Sequence, residues 1–181
     1  YLREVVMNGA KAEGTVTLEH WLKDAPAADT IAVTADEPAF WLYSSGSTGQ
    51  PKGVVHVHGA MQATSDTYGS RVLGIREDDV VLSAAKFFFA YGLGNELSFP
   101  LSVGATSVLY SGRPTPRAML DTIAAHQPTL FCGVPTLYAA MVAEMDARGV
   151  PSHGIRLAIS AGEALPSGFA LRWQGHTGVT V

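Results

Sequence analysis

Short apolar runs alternate with mixed stretches along the second half of the chain. Three of the mixed stretches open near a proline, at Pro116, Pro135 and Pro166. Proline is favoured in the first turn of a helix, and parallel strands that are buried on both faces are almost continuously apolar. The pattern therefore predicts strands and helices in alternation, with a period of roughly 25 residues, as in stacked βαβ units. The predicted strands are Ala105–Tyr110, Thr129–Gly133 and Ile155–Ser160, and the predicted helices end near His126 and Arg148 and follow Pro166.

The first half of the chain is less regular. Residues 1–39 are interpreted as a peripheral segment with a short helix at Leu18–Leu22 and the linker APAADT. Two buried strands, FWLYS and GVVHVH, are predicted on either side of a loop rich in glycine, serine and threonine. A helix from about Ala60 to Val72, ending near Gly74, and a strand at Val80–Ala84 follow. A further strand is predicted at the final GVTV.

Composition narrows the class of protein. The 181 residues suffice for one ordinary domain, and 47% hydrophobic against 15% charged residues is not the composition of a disordered chain. A net charge of −4 gives no electrostatic reason to expect nucleic acid or anionic lipid as a partner, and no apolar run is long enough to span a bilayer. The single cysteine, Cys132, cannot form an internal disulfide and is interpreted as a core residue, which favours a reducing, cytoplasmic compartment. Because the chain begins at Tyr1 and ends within a strand-like run, it is expected to be an internal fragment of a longer protein.

The loop SSGSTGQPKG has the chemistry of an anion-binding site. Its glycines permit backbone amides to converge on an anion, its hydroxyls add donors, and Lys52 adds a positive charge. The loop differs from the Walker A motif, because Pro51 and Gly53 flank the lysine, and from the dinucleotide-binding glycine pattern. A polyphosphate is the expected ligand.

The full motif YSSGSTGQPKG resembles the signature loop of the adenylate-forming superfamily, which includes acyl-CoA synthetases, luciferases and the adenylation domains of peptide synthetases. In those proteins the loop surrounds the β- and γ-phosphates of ATP. The resemblance implies the same role here for Ser45, Gly46, Ser47, Thr48, Gly49 and Lys52.

The motif SAGEALP leaves a predicted strand and enters a helix that opens on proline. On the residues alone an ordinary turn is the favoured interpretation, with Glu163 placed well for the helix dipole. Its position resembles the segment of the superfamily that lines the adenine and the acyl group. The resemblance assigns that role to Gly162, Glu163 and Ala164, although Ala164 stands where the superfamily usually has proline.

The stretch KFFFAYGLGNELSFPLSVGA resembles the corresponding stretch of benzoate-CoA ligases, as do RPTP and GVPTLYAAM. The resemblance covers nearly all of the chain from Ala39 to the last residue. It implies that Ala90 and Tyr91 line a pocket for the aryl carboxylate, where a tyrosine ring can pack on an aromatic ring. An aromatic core cluster is the alternative for this stretch, and it is the expected role of Phe87 and Phe88.

The resemblance implies a fold and a function. The fold is α/β, with layered parallel-sheet subdomains from the large N-terminal domain of an adenylate-forming enzyme, truncated here: residues 40–181 are part of the AMP-binding domain, and the C-terminal domain is absent. The function is an aryl-CoA ligase that uses ATP, Mg²⁺ and coenzyme A to convert benzoate to benzoyl-CoA. The catalytic lysine and a Thr-Glu motif lie outside the fragment, which by itself is expected to be inactive.

Three alternatives remain at this stage. The substrate could be a hydroxy-, amino- or halobenzoate, the domain could load an aryl acid onto a carrier protein, or the protein could be a ligase-like binding protein without catalysis.

No metal site is predicted, since His56 and His58 lack a third ligand at matching spacing. Asp78 and Asp79 are interpreted as a solvated turn. The oligomeric state is not indicated by the sequence.

Overall fold

The structure, a computed structural model, describes residues 4–44 and 49–181. The chain divides into two compact units, Tyr1–Val33 and Thr34–Val181. In the first unit, strand β1 (Val6–Met7) pairs in parallel with β2 (Val16–Thr17), and helix α1 (Leu18–Leu22) follows directly. The Thr17 side chain caps α1 by accepting a hydrogen bond from the backbone N–H of His20 at 3.2 Å. The helix predicted over these residues is confirmed.

The second unit begins with an antiparallel pair, β3 (Pro38–Ser44) and β4 (Lys52–Val57). The Phe40 ring stacks on His56 at a centroid distance of 5.0 Å, on the same face as Leu42. On the opposite face Trp41 is 58% exposed and Tyr43 is 74% exposed. The prediction of two strands is confirmed, but the prediction that they are buried is wrong for this second face, because within the described residues only the Phe40 face lies against other elements.

Helical segments follow the hairpin. Helix α2 (His58–Thr64) continues as π-helical turns over Ser65–Leu73 and stops at Gly74, whose φ of 59° is in the left-handed region. Helix α3 (Ala90–Gly92) likewise runs into π-helical turns at Leu93–Ser98, and then into α4 (Phe99–Val103). The helix predicted to end near Gly74 is confirmed.

Four parallel strands form the main sheet of this unit. They are β5 (Val80–Ser83), β6 (Thr106–Val108), β7 (Leu130–Gly133) and β8 (Leu157–Ser160), in the order β6-β5-β7-β8. Helices α5 (Pro116–His126), α6 (Pro135–Arg148) and α7 (Ser167–Thr177) alternate with them along the chain. The α/β fold with a parallel sheet is therefore confirmed, while the strand predicted over residues 178–181 is wrong, since no strand forms there.

The sheet is covered on both faces, as its apolar strands predict. On one face Phe131 packs with Tyr138 of α6 and Trp173 of α7, whose rings meet edge to face at 4.8 Å. On the other face Val81, Leu130 and Cys132 pack with the helical segments, including Phe99. Cys132 is fully buried, and burial raises the pKa of its thiol to about 12. Its interpretation as a core residue is confirmed.

The expected solvated turn at Asp78 and Asp79 is wrong for Asp79, which is 1% exposed. Its carboxylate accepts hydrogen bonds from Arg156 Nε at 2.8 Å and from Thr129 Oγ1 at 2.7 Å, and also from the backbone N–H of Arg76 at 2.8 Å. Asp79 thus lies at the amino end of β5 and binds residues next to β7 and β8. Burial by itself raises the pKa of Asp79, but these hydrogen bonds and the charge of Arg156 outweigh it and lower the pKa from 3.8 to about 2.

The expected aromatic core at Phe87 and Phe88 is also wrong. Phe88 is 73% exposed, Phe87 is 37% exposed, and neither belongs to a buried cluster of the described residues. Both belong to the loop between β5 and α3, outside the elements that form the two buried clusters.

Candidate active site

A cavity of about 640 Å³ opens where β5, β7 and β8 end. Ligands of open α/β sheets bind at the carboxyl ends of the strands, and the volume lies within the usual range for small-molecule sites. Its walls are mostly apolar. The lining residues are Ala84, Ala85, Lys86, Phe89, Tyr91, Pro114, Pro116, Val134, Thr136, Leu137, Ala140, Ala161 and Gly162.

Tyr91 projects from α3 into this cavity and is tied to the sheet by its hydroxyl. The hydroxyl lies 3.2 Å from the carbonyl oxygen of Gly133 and 3.1 Å from that of Ile159, at the ends of β7 and β8. Burial, together with nearby Cys132 and Tyr138, raises the pKa of the phenol far above its usual value. The hydroxyl therefore stays protonated and donates to these carbonyl groups, which fixes the ring in the cavity wall.

Ala90, the neighbour of Tyr91, lines a different cavity. This smaller space of about 160 Å³ lies between the β3–β4 pair, α2 and the segment that begins with α3, and Phe40 and His56 contribute to it. Consecutive residues of a helix point about 100° apart, so the α3 turn directs the two side chains to different sides. The structure thus does not bring Ala90 and Tyr91 into one cavity, and the aryl-binding role of the pair stays a prediction.

The segment after β8 contributes Ala161 and Gly162 to the large cavity. Gly162 has a φ of 94°, a conformation in which a side chain would be strained, and this lets the backbone turn at the cavity mouth. Glu163 and Ala164 are exposed and do not line the cavity. Among the three residues predicted here to contact adenine and acyl group, the structure therefore places Gly162 at the candidate site.

Residues of the signature loop connect β3 to β4. Ser45, Gly46, Ser47 and Thr48 lie outside the described residues. Lys52 is exposed and pairs with Ser44 at the end of the two strands that adjoins the loop. Gly49 has a φ of 77°. Neither Lys52 nor Gly49 lines the large cavity, so their phosphate-binding role stays a prediction.

Sequence reasoning missed several cavity residues. Val134, Thr136, Leu137 and Ala140 come from the start of α6, directly after β7. The signal was present in the buried strand followed by Pro135, because a helix that starts there has its first turn at the carboxyl edge of the sheet.

Lys86 forms one wall of the cavity and holds a neighbouring loop. Its Nζ donates to the carbonyl oxygen of Gly112 at 2.9 Å and to that of Tyr110, and it lies 5.4 Å from the centre of the Tyr110 ring. These bonds tie the loop after β6 to the loop after β5. The loop after β6 carries Pro114, which also lines the cavity.

Glu96 is a buried carboxylate close to this wall that sequence analysis did not single out. It is 5% exposed, and its Oε1 accepts a hydrogen bond from the backbone N–H of Ser83 at 2.9 Å. Burial raises its pKa to about 7, against the smaller lowering effects of the Ser83 hydrogen bond and the charge of Lys86. Glu96 therefore changes its protonation near neutral pH.

No group of three or more His, Cys, Asp or Glu side chains that could hold a metal ion occurs in residues 4–44 and 49–181. His56 stacks on Phe40, whereas His58 is the first residue of α2, so the two histidines belong to different elements. None of the helices in the described part of the chain is long and apolar enough to cross a bilayer.

Comparison with known proteins identifies relatives over most of the chain. The chain is 56% identical over 146 residues to a benzoate-CoA ligase of Thauera aromatica, covering 81% of this chain and 28% of that protein. It is 48% identical over 181 residues to a 4-hydroxybenzoate-CoA/benzoate-CoA ligase of Rhodopseudomonas palustris, covering 98% of this chain and 33% of that protein. A solved benzoate CoA ligase from Burkholderia xenovorans LB400 superposes with a TM-score of 0.83 at 44% identity, covering 98% of this chain and 35% of the other.

The chain thus spans about a third of the length of the relatives that it matches. The sequence pattern of AMP-binding enzymes matches it over residues 3–181, which include every element described above. This extent of similarity, together with the parallel sheet and the cavity at its carboxyl edge, establishes that the chain belongs to the AMP-binding enzyme family.

Proposed function

We propose that the longer protein carrying this chain is an aryl-CoA ligase that acts on benzoate. The observation that supports this most directly is the composition of the 640 Å³ cavity. It combines Tyr91, from the stretch that resembles an aryl-binding loop, with Gly162, from the segment that resembles an adenine- and acyl-binding turn. An aryl group and the adenylate to which it is joined need such adjacent sites.

The proposed reaction has two steps. In the first, a carboxylate oxygen of benzoate bonds to the α-phosphorus of ATP and the bond from that phosphorus to the β-phosphate oxygen breaks, giving benzoyl-AMP and pyrophosphate. In the second, the sulfur of the coenzyme A thiol loses its proton and bonds to the acyl carbon, while the bond from that carbon to the AMP oxygen breaks, giving benzoyl-CoA and AMP. The first step depends on positioning and on neutralising phosphate charge, as in other phosphoryl chemistry.

Residues of this chain would supply part of that environment. The loop from Ser45 to Gly49 and the ammonium of Lys52 are proposed to bind the β- and γ-phosphates, with hydroxyl, amide and ammonium donors. Apolar walls such as Leu137 and Ala140 would exclude water from the aryl ring. Tyr91 would pack on that ring.

Mg²⁺ is proposed only as the counter-ion of the ATP phosphates. This ion is usually bound through substrate phosphates, with several waters and one or two protein oxygens. The hydroxyl of Thr48 is the oxygen of this chain proposed to lie near the ion. Coenzyme A is the proposed acyl acceptor, and the reducing cytoplasm is the proposed compartment for a chain whose single cysteine is buried.

Ring-substituted benzoates are the second candidate class of substrate. The observation that favours them is the 48% identical relative, whose name includes 4-hydroxybenzoate as well as benzoate. In the described part of the cavity the hydrogen-bonding groups on the lining side chains are those of Lys86, Tyr91 and Thr136. Each of them could exchange a hydrogen bond with a hydroxyl substituent.

Two assays on the full-length protein test the proposal. Benzoate-dependent exchange of pyrophosphate into ATP reports the first step, and benzoyl-CoA formation reports both steps. A parallel assay with an acyl carrier protein in place of coenzyme A tests the carrier-loading alternative. A protein that binds benzoate but shows no exchange would be a binding protein, and the proposed function would be wrong.

Replacement of Tyr91 is expected to impair benzoate use more than ATP binding. Tyr91→Ala removes the ring from the cavity wall and leaves a hole, so kcat/KM for benzoate should fall by about tenfold or more, with KM for ATP nearly unchanged. The measurement is initial-rate kinetics with benzoate, 4-hydroxybenzoate and 2-aminobenzoate. An unchanged order of preference with uniformly lower activity would mean that Tyr91 is structural.

Two further variants sharpen this test. Tyr91→Phe keeps the ring but removes the hydroxyl from the carbonyl oxygens of Gly133 and Ile159, and it should retain most of the benzoate activity. Ala90→Leu decides whether the smaller cavity belongs to the aryl site. A changed order of preference would support the role that the resemblance gives to Ala90, and an unchanged order would leave Tyr91 as the contact.

A further inference from the structure

The Glu96 carboxylate replaces a strand partner at the end of β5. Leu82 pairs with Val108 of β6, but β6 stops there, so the backbone N–H of Ser83 finds no strand on that side. The next amide, that of Ala84, donates to the carbonyl oxygen of Cys132 on the β7 side at 2.9 Å. Glu96 Oε1 accepts the Ser83 N–H at 2.9 Å and completes the hydrogen bonding of this buried amide.

Ser83 leads directly into the cavity wall. Ala84, Ala85 and Lys86 follow it and all three line the 640 Å³ cavity. The Ala85 N–H donates back to Ser83 Oγ at 3.1 Å, so the position of Ser83 fixes the first turn of this wall. A change at Glu96 therefore reaches the cavity through one hydrogen bond and without contact with the ligand.

Two more hydrogen bonds hold the π-helical segment that carries Glu96, one to β6 and one to the preceding turn of α3. Ser107 Oγ of β6 donates to the carbonyl oxygen of Glu96 at 2.7 Å. The side chain of Asn95 donates to the carbonyl oxygen of Tyr91 at 2.8 Å. Because the segment contacts both the Ser83 wall and the Tyr91 backbone, it connects the two sides of the candidate aryl site.

The charge of Glu96 interacts with groups in the loop after β5 and on β7. Lys86, in the loop after β5, attracts it, and the Cys132 thiol of β7 has its pKa raised in part by it. Glu96, Lys86 and Tyr110 also share a second cavity of about 430 Å³ beside the first, and the Lys86 ammonium there lies near the Tyr110 ring. The negative charge of an ionised Glu96 thus offsets the positive charge of the Lys86 ammonium, whereas a protonated Glu96 carries no charge to offset it.

We propose that Glu96 is a positioning residue of the aryl site, which holds the wall from Ser83 to Lys86 in its binding conformation while its carboxylate is ionised. This inference rests on the proposed function, because it takes the cavity to be the aryl site. Ionised, Glu96 accepts a charge-assisted hydrogen bond from Ser83 and attracts Lys86. Protonated, it accepts more weakly and the attraction ends, so the wall loosens. Since its pKa is about 7, the change falls near neutral pH.

The kinetic test uses full-length protein with Glu96→Gln. Glutamine has nearly the same shape and can still accept from the Ser83 N–H, but it does not titrate. In the wild type, KM for benzoate should rise about fivefold as the pH falls through about 7, with KM for ATP unchanged. Glu96→Gln should lack this step, and the control Glu77→Gln, which removes an exposed charge, should keep it. The same step in Glu96→Gln, or an equal rise in KM for ATP, would overturn the proposal.

A second measurement does not require activity. With ¹⁵N-labelled serine, the amide resonance of Ser83 should shift with a midpoint near pH 7 in the wild type and in Glu77→Gln, but not in Glu96→Gln. If the chemical shift of the Ser83 amide did not change with pH, the role of Glu96 would be overturned even in an active ligase. A titrating amide in a protein that never activates benzoate would instead refute the proposed function and leave the contact between Glu96 and Ser83 established.

Discussion

Arg156→Met is expected to lower the free energy of unfolding of the sheet by about 2–3 kcal/mol at pH 7. The variant leaves the Asp79 carboxylate, which is 1% exposed, without its charged partner at the amino end of β5. Thr129 and the N–H of Arg76 would remain as donors but carry no charge. The measurement is denaturant unfolding of the full-length protein, with hydrogen exchange of the β5, β7 and β8 amides to locate the loss.

The pair is also expected to respond asymmetrically to mutation. Arg156 is 32% exposed, so its guanidinium can be hydrated when the partner is removed, whereas a lone Asp79 carboxylate cannot. Asp79→Asn should therefore destabilise less than Arg156→Met. Arg76→Met provides a matched control, because the Arg76–Asp78 ion pair is exposed and should contribute at most about 1 kcal/mol. Equal losses in Arg76→Met and Arg156→Met would contradict the structural role of Asp79.

The pH dependence follows from the direction of the Asp79 shift. Its pKa is about 2 in the folded protein, below the ordinary value of 3.8, so the folded state favours the ionised form. The stabilisation is complete above about pH 4 and is lost as the pH falls through about 2. The difference between wild type and Arg156→Met should therefore shrink across this acid range.

The sequence predicted the alternating elements from β6 onward because two local signals coincide there. Continuous apolar runs mark strands buried on both faces, and Pro116 and Pro135 mark the first turns of α5 and α6. Both signals depend on neighbours along the chain. The π-helical turns at Ser65–Leu73 and Leu93–Ser98 have no comparable local signature, and they were not predicted.

Asp79 shows why the remaining errors occurred. In the sequence REDD two adjacent acids have the same local context, yet Asp78 is exposed and Asp79 is buried. The difference is made by Thr129 and Arg156, which are 50 and 77 residues away along the chain. Such partners are brought together only by the order of strands in the sheet, which no local pattern specifies.

As with the fold, the sequence predicted those parts of the candidate site that local motifs mark. The resemblance led to the segments that contain Tyr91 and Gly162, and the structure places both of these residues in one cavity. The separation of Ala90 from Tyr91 depends on the single turn of α3, and the role of Glu96 depends on where β6 stops. Both are consequences of backbone geometry, so they became visible only with the structure.

Lys52→Ala is expected to slow the formation of benzoyl-AMP by roughly 10- to 150-fold, while thioester formation from supplied benzoyl-AMP is affected less. Lys52 opens β4 opposite Ser44, so it lies at the base of the loop proposed to surround the triphosphate, and its side chain is exposed. A charge-assisted contact contributes about 1.5–3 kcal/mol, and triphosphate is present only in the first step. The difference between the two steps is thus the signature of a phosphate contact.

The measurement times the two half-reactions separately, by pyrophosphate exchange and by conversion of added benzoyl-AMP to benzoyl-CoA. Lys52→Arg keeps the positive charge and should recover part of the exchange rate, because Coulombic attraction to phosphate remains when the geometry changes. Lys23→Ala removes an exposed cation from the unit Tyr1–Val33 and should leave both steps unchanged. If Lys52→Ala slowed both half-reactions equally, the side chain would be supporting the hairpin and not the triphosphate, and the phosphate-binding role proposed for this loop would lose its most direct support.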